Sequence, residues 1–422
     1  MLCMGEAPRE SLILSFEDAR RVVEEQALGL APTSRETLDL LPSAGRVLAE
    51  SVTADRDLPP FPRSTRDGYA VRSADLTALP ARLRVKGEIQ AGESTSDLPF
   101  LVRDGEAFSI MTGAPVPAGA DAVVMVEHTS ASGDDVEIMR AAAPGENIVP
   151  QGAEAGRGSL LLERGARLNE AGIALAASVG KTRLKVFCRP RVAVLTTGDE
   201  IVDAGAEPGP AQIRNSNSYS LAVQIQQSGG DPILLPVAPD EARRLRQLIE
   251  QGLQADLLIM TGGVSMGRYD LVEQVMAELH AEFFFQGALI QPGRPVVFGR
   301  VPGISRDRLA RGHFFGLPGN PVSTMVTFEL FARPMIEGLT GMTARPLMFL
   351  HAKLKTAVQA KPGLKRFLPA LLSGSYENTQ VELVAWQGSG DIAARSRSNC
   401  YLVVPSDRER IGAGDWATVM LR

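Results

Sequence analysis

The feature that most constrains this 422-residue chain is a pairing, repeated through its middle, of a short apolar run with a glycine-rich loop. Runs at 192–195, 257–260 and 313–317 lead into Thr197-Gly198-Asp199-Glu200, Thr261-Gly262-Gly263-Val264-Ser265 and Leu317-Pro318-Gly319-Asn320-Pro321-Val322-Ser323. With a further run at 233–237, they are too short and too apolar for amphipathic helices and read as buried strands. Helices fit between them. Residues 218–228 carry Leu221, Ala222 and Ile225 on one face and stop at Gly229-Gly230. Asp240 is placed to cap the next helix, with Leu245, Leu248 and Ile249 as its apolar stripe. Asn320 followed by Pro321 opens a helix expected to run to about Gly338. Alternating strands and helices predict a doubly wound α/β domain over 187–338 with right-handed crossovers. Loops leaving the strand C-termini then gather on one edge, where α/β folds bind ligands.

The flanks read differently. Ser15 begins a helix with Phe16, Ala19, Val23 and Ala27 at helical spacing, and Asp18 stands where a capping-box acid would. Residues 57–71 are rich in proline and read as a stiff irregular loop. Residues 72–144 are short alternating runs broken by Gly and Pro and predict a small β-rich domain, and the strand pattern returns beyond Gly341. This length predicts two to four domains.

A net charge of -5 argues against nucleic acid or an anionic membrane as the main partner, so an anionic ligand must be held by a local pocket. Three scattered cysteines and four histidines without ligand spacing suggest neither a disulfide framework nor a zinc site. No apolar run is long enough to span a bilayer and no signal-like N-terminus stands out, which makes a cytoplasmic protein the expectation. Neither a Walker-type GxxxxGK[ST] nor a GxGxxG after a strand occurs, so nucleotide triphosphatase and dinucleotide enzymes gain little support.

Taken in order, PFPRSTRDGYAV, IMTGAPVPAGADAVV, TTGDE, TGGVSMGRYD, QPGRP and LPGNPVS resemble the molybdopterin molybdenumtransferase family, MoeA in bacteria and the E-domain of gephyrin in eukaryotes. The resemblance covers nearly the whole chain. It implies a split N-terminal domain (12–50 and 145–186), a β-rich insert (51–144), the α/β molybdopterin-binding domain (187–338) and a C-terminal β-domain (339–422). It also implies Mg²⁺-dependent insertion of molybdate into adenylylated molybdopterin with release of AMP, by an elongated homodimer to which other proteins of the pathway could dock. The alternatives are an adenylyltransferase related to 187–338, a tungstate-handling paralogue, and a non-catalytic dimeric scaffold.

Cleaving a phosphoric anhydride calls for charge neutralisation, and hard cations take carboxylate oxygens. Asp67, Glu200 and Asp270 match the family's acidic positions and are the expected catalytic and metal-binding carboxylates, with Thr112 beside them. Asp240 matches one too, but reads at least as well as a plain helix cap. Backbone N–H groups at Gly262 and Gly263 can approach a phosphate closely, Ser265 adds a hydroxyl, and Thr197, Gly198, Pro318, Gly319 and Asn320 complete the expected substrate loops. The resemblance assigns the oxyanion to Arg294 and Pro295, with Arg366 and Ser389 from the last domain; a solvated surface charge is the alternative for Arg366. Gln291 and Arg294 stand where the family often has lysine, which removes one charge and changes the donor geometry of the other.

Overall fold

The computed structural model describes residues 12–93, 101–263, 271–303, 312–342, 345–375 and 377–421. Its middle layer is a six-stranded sheet in the order Asp231–Leu234, Arg191–Thr196, Leu257–Thr261, His313–Leu317, Val297–Arg300, Glu282–Phe285. The first four strands are mutually parallel, Val297–Arg300 runs antiparallel to them, and Glu282–Phe285 pairs antiparallel with Val297–Arg300. Successive side chains of a strand face opposite ways. Val192 and Val194 accordingly join a core with Leu221 and Ile225 of the helix Asn217–Gln227, whereas Ala193 and Leu195 join another with Leu245, Leu248 and Ile249 of the helix Ala242–Gly252. A run apolar at every position needs a helix on each face, and the doubly wound arrangement follows. The edge strand begins at Asp231, two residues before the apolar run at 233; Leu235 still donates to Val194 O at 3.0 Å, but Pro236 has no N–H to extend the ladder.

Two local expectations need correction. Asp240 does not cap the following helix: Glu241 takes the cap position without a side-chain bond, and the Asp240 backbone N–H donates to Asp199 Oδ1 at 3.0 Å. The residue is thereby turned toward the Thr197 loop. The Pro-rich loop, for its part, ends before Gly68, because Gly68–Val71 is an inner strand of the insert, paired with Ala122–Met125 on one side and Glu106–Ile110 on the other.

The helix opened by Asn320 and Pro321 runs to Leu339 through a π-helical turn at Phe328–Ala332. Pro334 has no N–H for the carbonyl of Leu330. That carbonyl instead accepts from Arg20 Nη1 at 2.5 Å. Arg20 belongs to the N-terminal helix Phe16–Leu28, capped by Ser15, whose hydroxyl accepts from Asp18 N at 3.0 Å and donates to Asp18 Oδ2 at 2.7 Å. Phe16, Ala19, Val23 and Ala27 enter the core that contains Val192 and Leu221.

Beyond this helix the chain runs out and back. Arg35–Asp39 pairs antiparallel with Arg183–Phe187, Val52–Thr53 with Leu160–Leu162, and Arg63–Ser64 with Ile148–Val149. Two nested arms result, with the six-stranded insert sheet at their tip. The C-terminal sheet closes on itself because Lys365–Ser375 pairs with both Asn378–Leu383 and Cys400–Val404, giving a small barrel that also contains Phe349–Leu354 and Trp416–Met420. Ile290–Gln291, leaving the α/β layer, adds as a parallel strand to Lys365–Arg366. Burial inside the barrel pushes the Cys400 thiol up to about 11, which makes it a packing residue and not a reactive one.

Candidate functional site

Register decides where the glycine loops start. Thr196 lies opposite Thr261, and Thr261 opposite Leu317. The three loops therefore leave the sheet from one rung. The chain also passes from 191–196 to the edge strand 231–234 and then back across to 257–261, so the strand order reverses at this rung, where open α/β sheets bind ligands.

A cleft of about 380 Å³ opens there, and it gathers Thr197, Glu200, Gly262, Gly263, Pro295, Pro318, Gly319 and Asn320 in its wall. The close approach of the loops depends on glycine. At Gly262, with φ of 89°, a Cβ would lie 2.5 Å from the carbonyl oxygen of Thr197; at Gly198, with φ of 131°, it would lie 2.5 Å from Glu200 Oε2. The first absence lets two loops touch, and the second lets the Glu200 carboxylate fold back over its own turn. Backbone N–H groups and a carboxylate thus border one concave space, a combination suited to phosphate oxygens and a hard cation.

Asp240 stands near the acids of the Thr197 loop. Burial pushes the Asp240 carboxyl above the usual range, and repulsion from Asp199 and Glu200 adds to it. Glu200 and Asp240 are the carboxylates here that could hold a hard cation, with substrate oxygens completing its shell. Among the described residues, no three histidine, cysteine or acidic side chains converge as a ready-made metal cage. Asp270 and Ser265 lie outside the described residues.

Of the residues expected to receive the oxyanion, Pro295 lines this cleft. Arg366 is 8% exposed, which rules out a solvated surface charge. Its Nε donates to Gln291 Oε1 at 2.9 Å and its Nη1 to the Leu364 carbonyl at 3.2 Å, and it has no carboxylate partner among the described residues. A buried guanidinium held only by neutral acceptors retains N–H groups and charge for an anion. Arg294, in the loop that supplies Gln291, is exposed. Ser389 reaches the cleft from the C-terminal domain: its hydroxyl accepts from Asn320 Nδ2 at 3.0 Å, and its carbonyl from Val322 N at 2.9 Å.

Asp67 and Thr112 lie apart, on the insert. Asp67 Oδ1 accepts from the Thr112 backbone N–H at 2.7 Å and from its hydroxyl at 2.8 Å. The N–H bond first, and the hydroxyl after it, hold the carboxyl below the usual carboxylate range. The pair is exposed, and neither residue lines the 380 Å³ cleft.

Sequence reading missed one wall. Arg214, Asn215, Ser216 and Asn217 line the cleft ahead of the helix Asn217–Gln227. A polar Asn-Ser-Asn-Ser run at a helix start was the available signal.

Three family models match the chain: the MoeA N-terminal region (domain I and II) over residues 14–180, the Probable molybdopterin binding domain over 193–338, and the MoeA C-terminal region (domain IV) over 351–421. A curated molybdopterin molybdenumtransferase of Nostoc sp. is 37% identical, spanning 90% of this chain and 87% of that protein. Another, of Haemophilus influenzae, is 34% identical across 96% of this chain and 98% of its own length. Two crystal structures of the molybdopterin biosynthesis MoeA protein of Pyrococcus horikoshii superpose over 97% of the chain. They cover 99% and 100% of those chains, with TM-scores of 0.72 and 0.79 at 33% and 27% identity.

Proposed function

Because the chain belongs to the MoeA family of molybdopterin molybdenumtransferases, we propose that the cleft at the reversal of strand order is where the pterin substrate is seated for metal insertion. The chain is a transferase of molybdenum cofactor biosynthesis that inserts molybdenum into molybdopterin. The observation that carries the seating is the shared rung of Thr196, Thr261 and Leu317, which aims three loop backbones and Glu200 at one space.

In this reading the substrate arrives adenylylated and AMP leaves when the bond between its two phosphates breaks. The N–H groups of Gly262 and Gly263 hold phosphate oxygens, while Ser265 and Thr197 add hydroxyls. Glu200 and Asp270, with Asp240 close to Glu200, would hold Mg²⁺, which supplies neutralisation of phosphate charge. Molybdate, a tetrahedral dianion, is received by Arg294 and Arg366 with Pro295 and Ser389 beside them. Gln291 orients Arg366 by accepting from its Nε. Asp67 and Thr112, exposed on the insert, complete the site of a second copy in an isologous homodimer, giving two equivalent sites. Other proteins of the pathway are natural candidates to take up the product. The working compartment in this reading is the cytoplasm; among the described residues no helix is long and apolar enough to cross a membrane.

The direct test supplies adenylylated molybdopterin, Mg²⁺ and either molybdate or tungstate, and follows AMP. Release that requires both the cation and the oxyanion supports the reading. AMP release indifferent to oxyanion would favour simple hydrolysis and remove metal insertion from this cleft.

A further inference from the structure

Asn217 stands at the first turn of its helix and lines the cleft with only 7% of its surface exposed. Its amide orientation is fixed by chemistry. Nδ2 lies 2.7 Å from the carbonyl oxygen of Gly319, which can only accept, and 3.1 Å from Thr261 Oγ1, itself bound to the Pro318 carbonyl at 3.2 Å. Both amide hydrogens are thereby used, so the atom left over is the acceptor. Asn217 Oδ1 is buried and has no hydrogen-bond partner among the described residues. The same holds for the hydroxyl oxygen of Thr197, a residue 4% exposed in the same cleft wall.

Buried polar atoms without partners are uncommon, and each costs stability that an apolar replacement would avoid. Two of them in one cleft, one with its orientation locked by three successive hydrogen bonds, are placed for something that enters. We propose that Asn217 is a specificity-determining residue, whose Oδ1, with the Thr197 hydroxyl beside the same cleft, reads an N–H or O–H donor on the bound substrate. The inference rests on the cleft being the substrate pocket. An amide oxygen accepts only, so the group it reads is a donor: an amino or hydroxyl group of the nucleotide portion, or the amino group of the pterin. A site built to pair with such a donor rejects an analogue lacking it, because the protein acceptor is then left buried and empty.

Calorimetric titration of the full-length protein separates the two sources. AMP is compared with inosine monophosphate, 2′-deoxy-AMP and 3′-deoxy-AMP, and 6-hydroxymethylpterin with 6-hydroxymethyllumazine, which carries oxygen in place of the amino group. The wild type is expected to prefer the donor-bearing member of one of these pairs by roughly ten- to a hundredfold, and Asn217→Ala to shrink that preference to about threefold or less. Thr197→Val guards against a folding artefact. Its hydroxyl makes no hydrogen bond among the described residues, so the variant should melt at or above the wild-type temperature while binding the preferred ligand several-fold more weakly. A purely structural role would leave that affinity unchanged. Equal affinities across every pair, or an undiminished preference in folded Asn217→Ala, overturn the inference and leave the cleft's assignment standing. So does wild-type binding by Thr197→Val where Asn217→Ala fails to fold. A wild type that binds neither AMP nor the pterin overturns both.

Discussion

The cleft beside Glu200 and the exposed pair Asp67–Thr112 contain comparable chemistry, a carboxylate next to N–H and hydroxyl donors, yet they are built in opposite ways. Around the cleft, three loops leave one rung of a parallel sheet, glycine lets them touch, and a fourth segment from the barrel is tied in through Ser389 and Asn320. Asp67 and Thr112 satisfy each other on the surface of the insert, at the end of two long antiparallel arms. The first region is assembled within one chain. The second faces solvent, which suits a group delivered to a separate surface.

The sharpest way to break this contrast is complementation. Asp67→Asn and Glu200→Gln homodimers should each be nearly inactive, whereas purified heterodimers of the two should recover one intact site per dimer. Heterodimers as dead as their parents would mean that the two regions do not meet across an interface.

Next in size is the loss in each parent. Glu200→Gln, and Asp270→Asn with it, should lower AMP release about a hundredfold or more, the scale for removing a preorganised electrostatic contact, without a change in melting. Near-normal turnover in either would return that carboxylate to an ordinary loop role.

A smaller effect is expected at the oxyanion end, where Arg294 is exposed and Arg366 is buried against Gln291. A charge-assisted hydrogen bond contributes about 1.5 to 3 kcal/mol, so Arg294→Ala should raise the molybdate concentration for half-maximal turnover by roughly ten- to a hundredfold. Binding of the adenylylated pterin should stay nearly constant. If molybdate dependence is unmoved, Arg294 does not contact the oxyanion.

The smallest effect belongs to Asp240. Its raised carboxyl means that the folded protein binds more protons than the unfolded chain between the ordinary value of 3.8 and the raised one. Stability is therefore lost as pH climbs through that window, and the full penalty is present above it. Asp240→Asn should raise the melting temperature near pH 7 by about a degree or two, the modest scale of partial burial and solvent-screened repulsion, and the gain should vanish below about pH 3.8. Mg²⁺ should stabilise the wild type more than this variant. A gain that persists in acid would assign the effect to packing instead of charge.

Much of this is legible in the sequence. The apolar runs ending at Leu195, Met260 and Leu317 are local signals, because a strand buried on both faces must be apolar at every position. Gly262 and Gly198 are likewise readable, since positive φ and contact closer than a Cβ allows demand glycine. Asp240 was misread for a reason of the same kind: an acid before a helix resembles a cap, and only the pull of Asp199 on its backbone N–H shows otherwise. Gly68–Val71 resembles loop by sequence because prolines crowd the residues before it and its strand partners lie about forty to fifty-five residues further on.

The sequence by itself determined the alternation of strand and helix, the glycine turns and the set of acids and arginines near them, because each follows from periodicity, backbone freedom or residue chemistry over a few neighbouring positions. Tertiary structure alone decided which of these meet. The rung shared by Thr196, Thr261 and Leu317, the burial of Arg366 against Gln291, the reach of Ser389 to Asn320 and the unpaired acceptor of Asn217 all depend on strand register and domain packing between residues far apart in the chain. Hydrogen bonding and burial are properties of the space around an atom, and that space is closed only when the distant segments have come together.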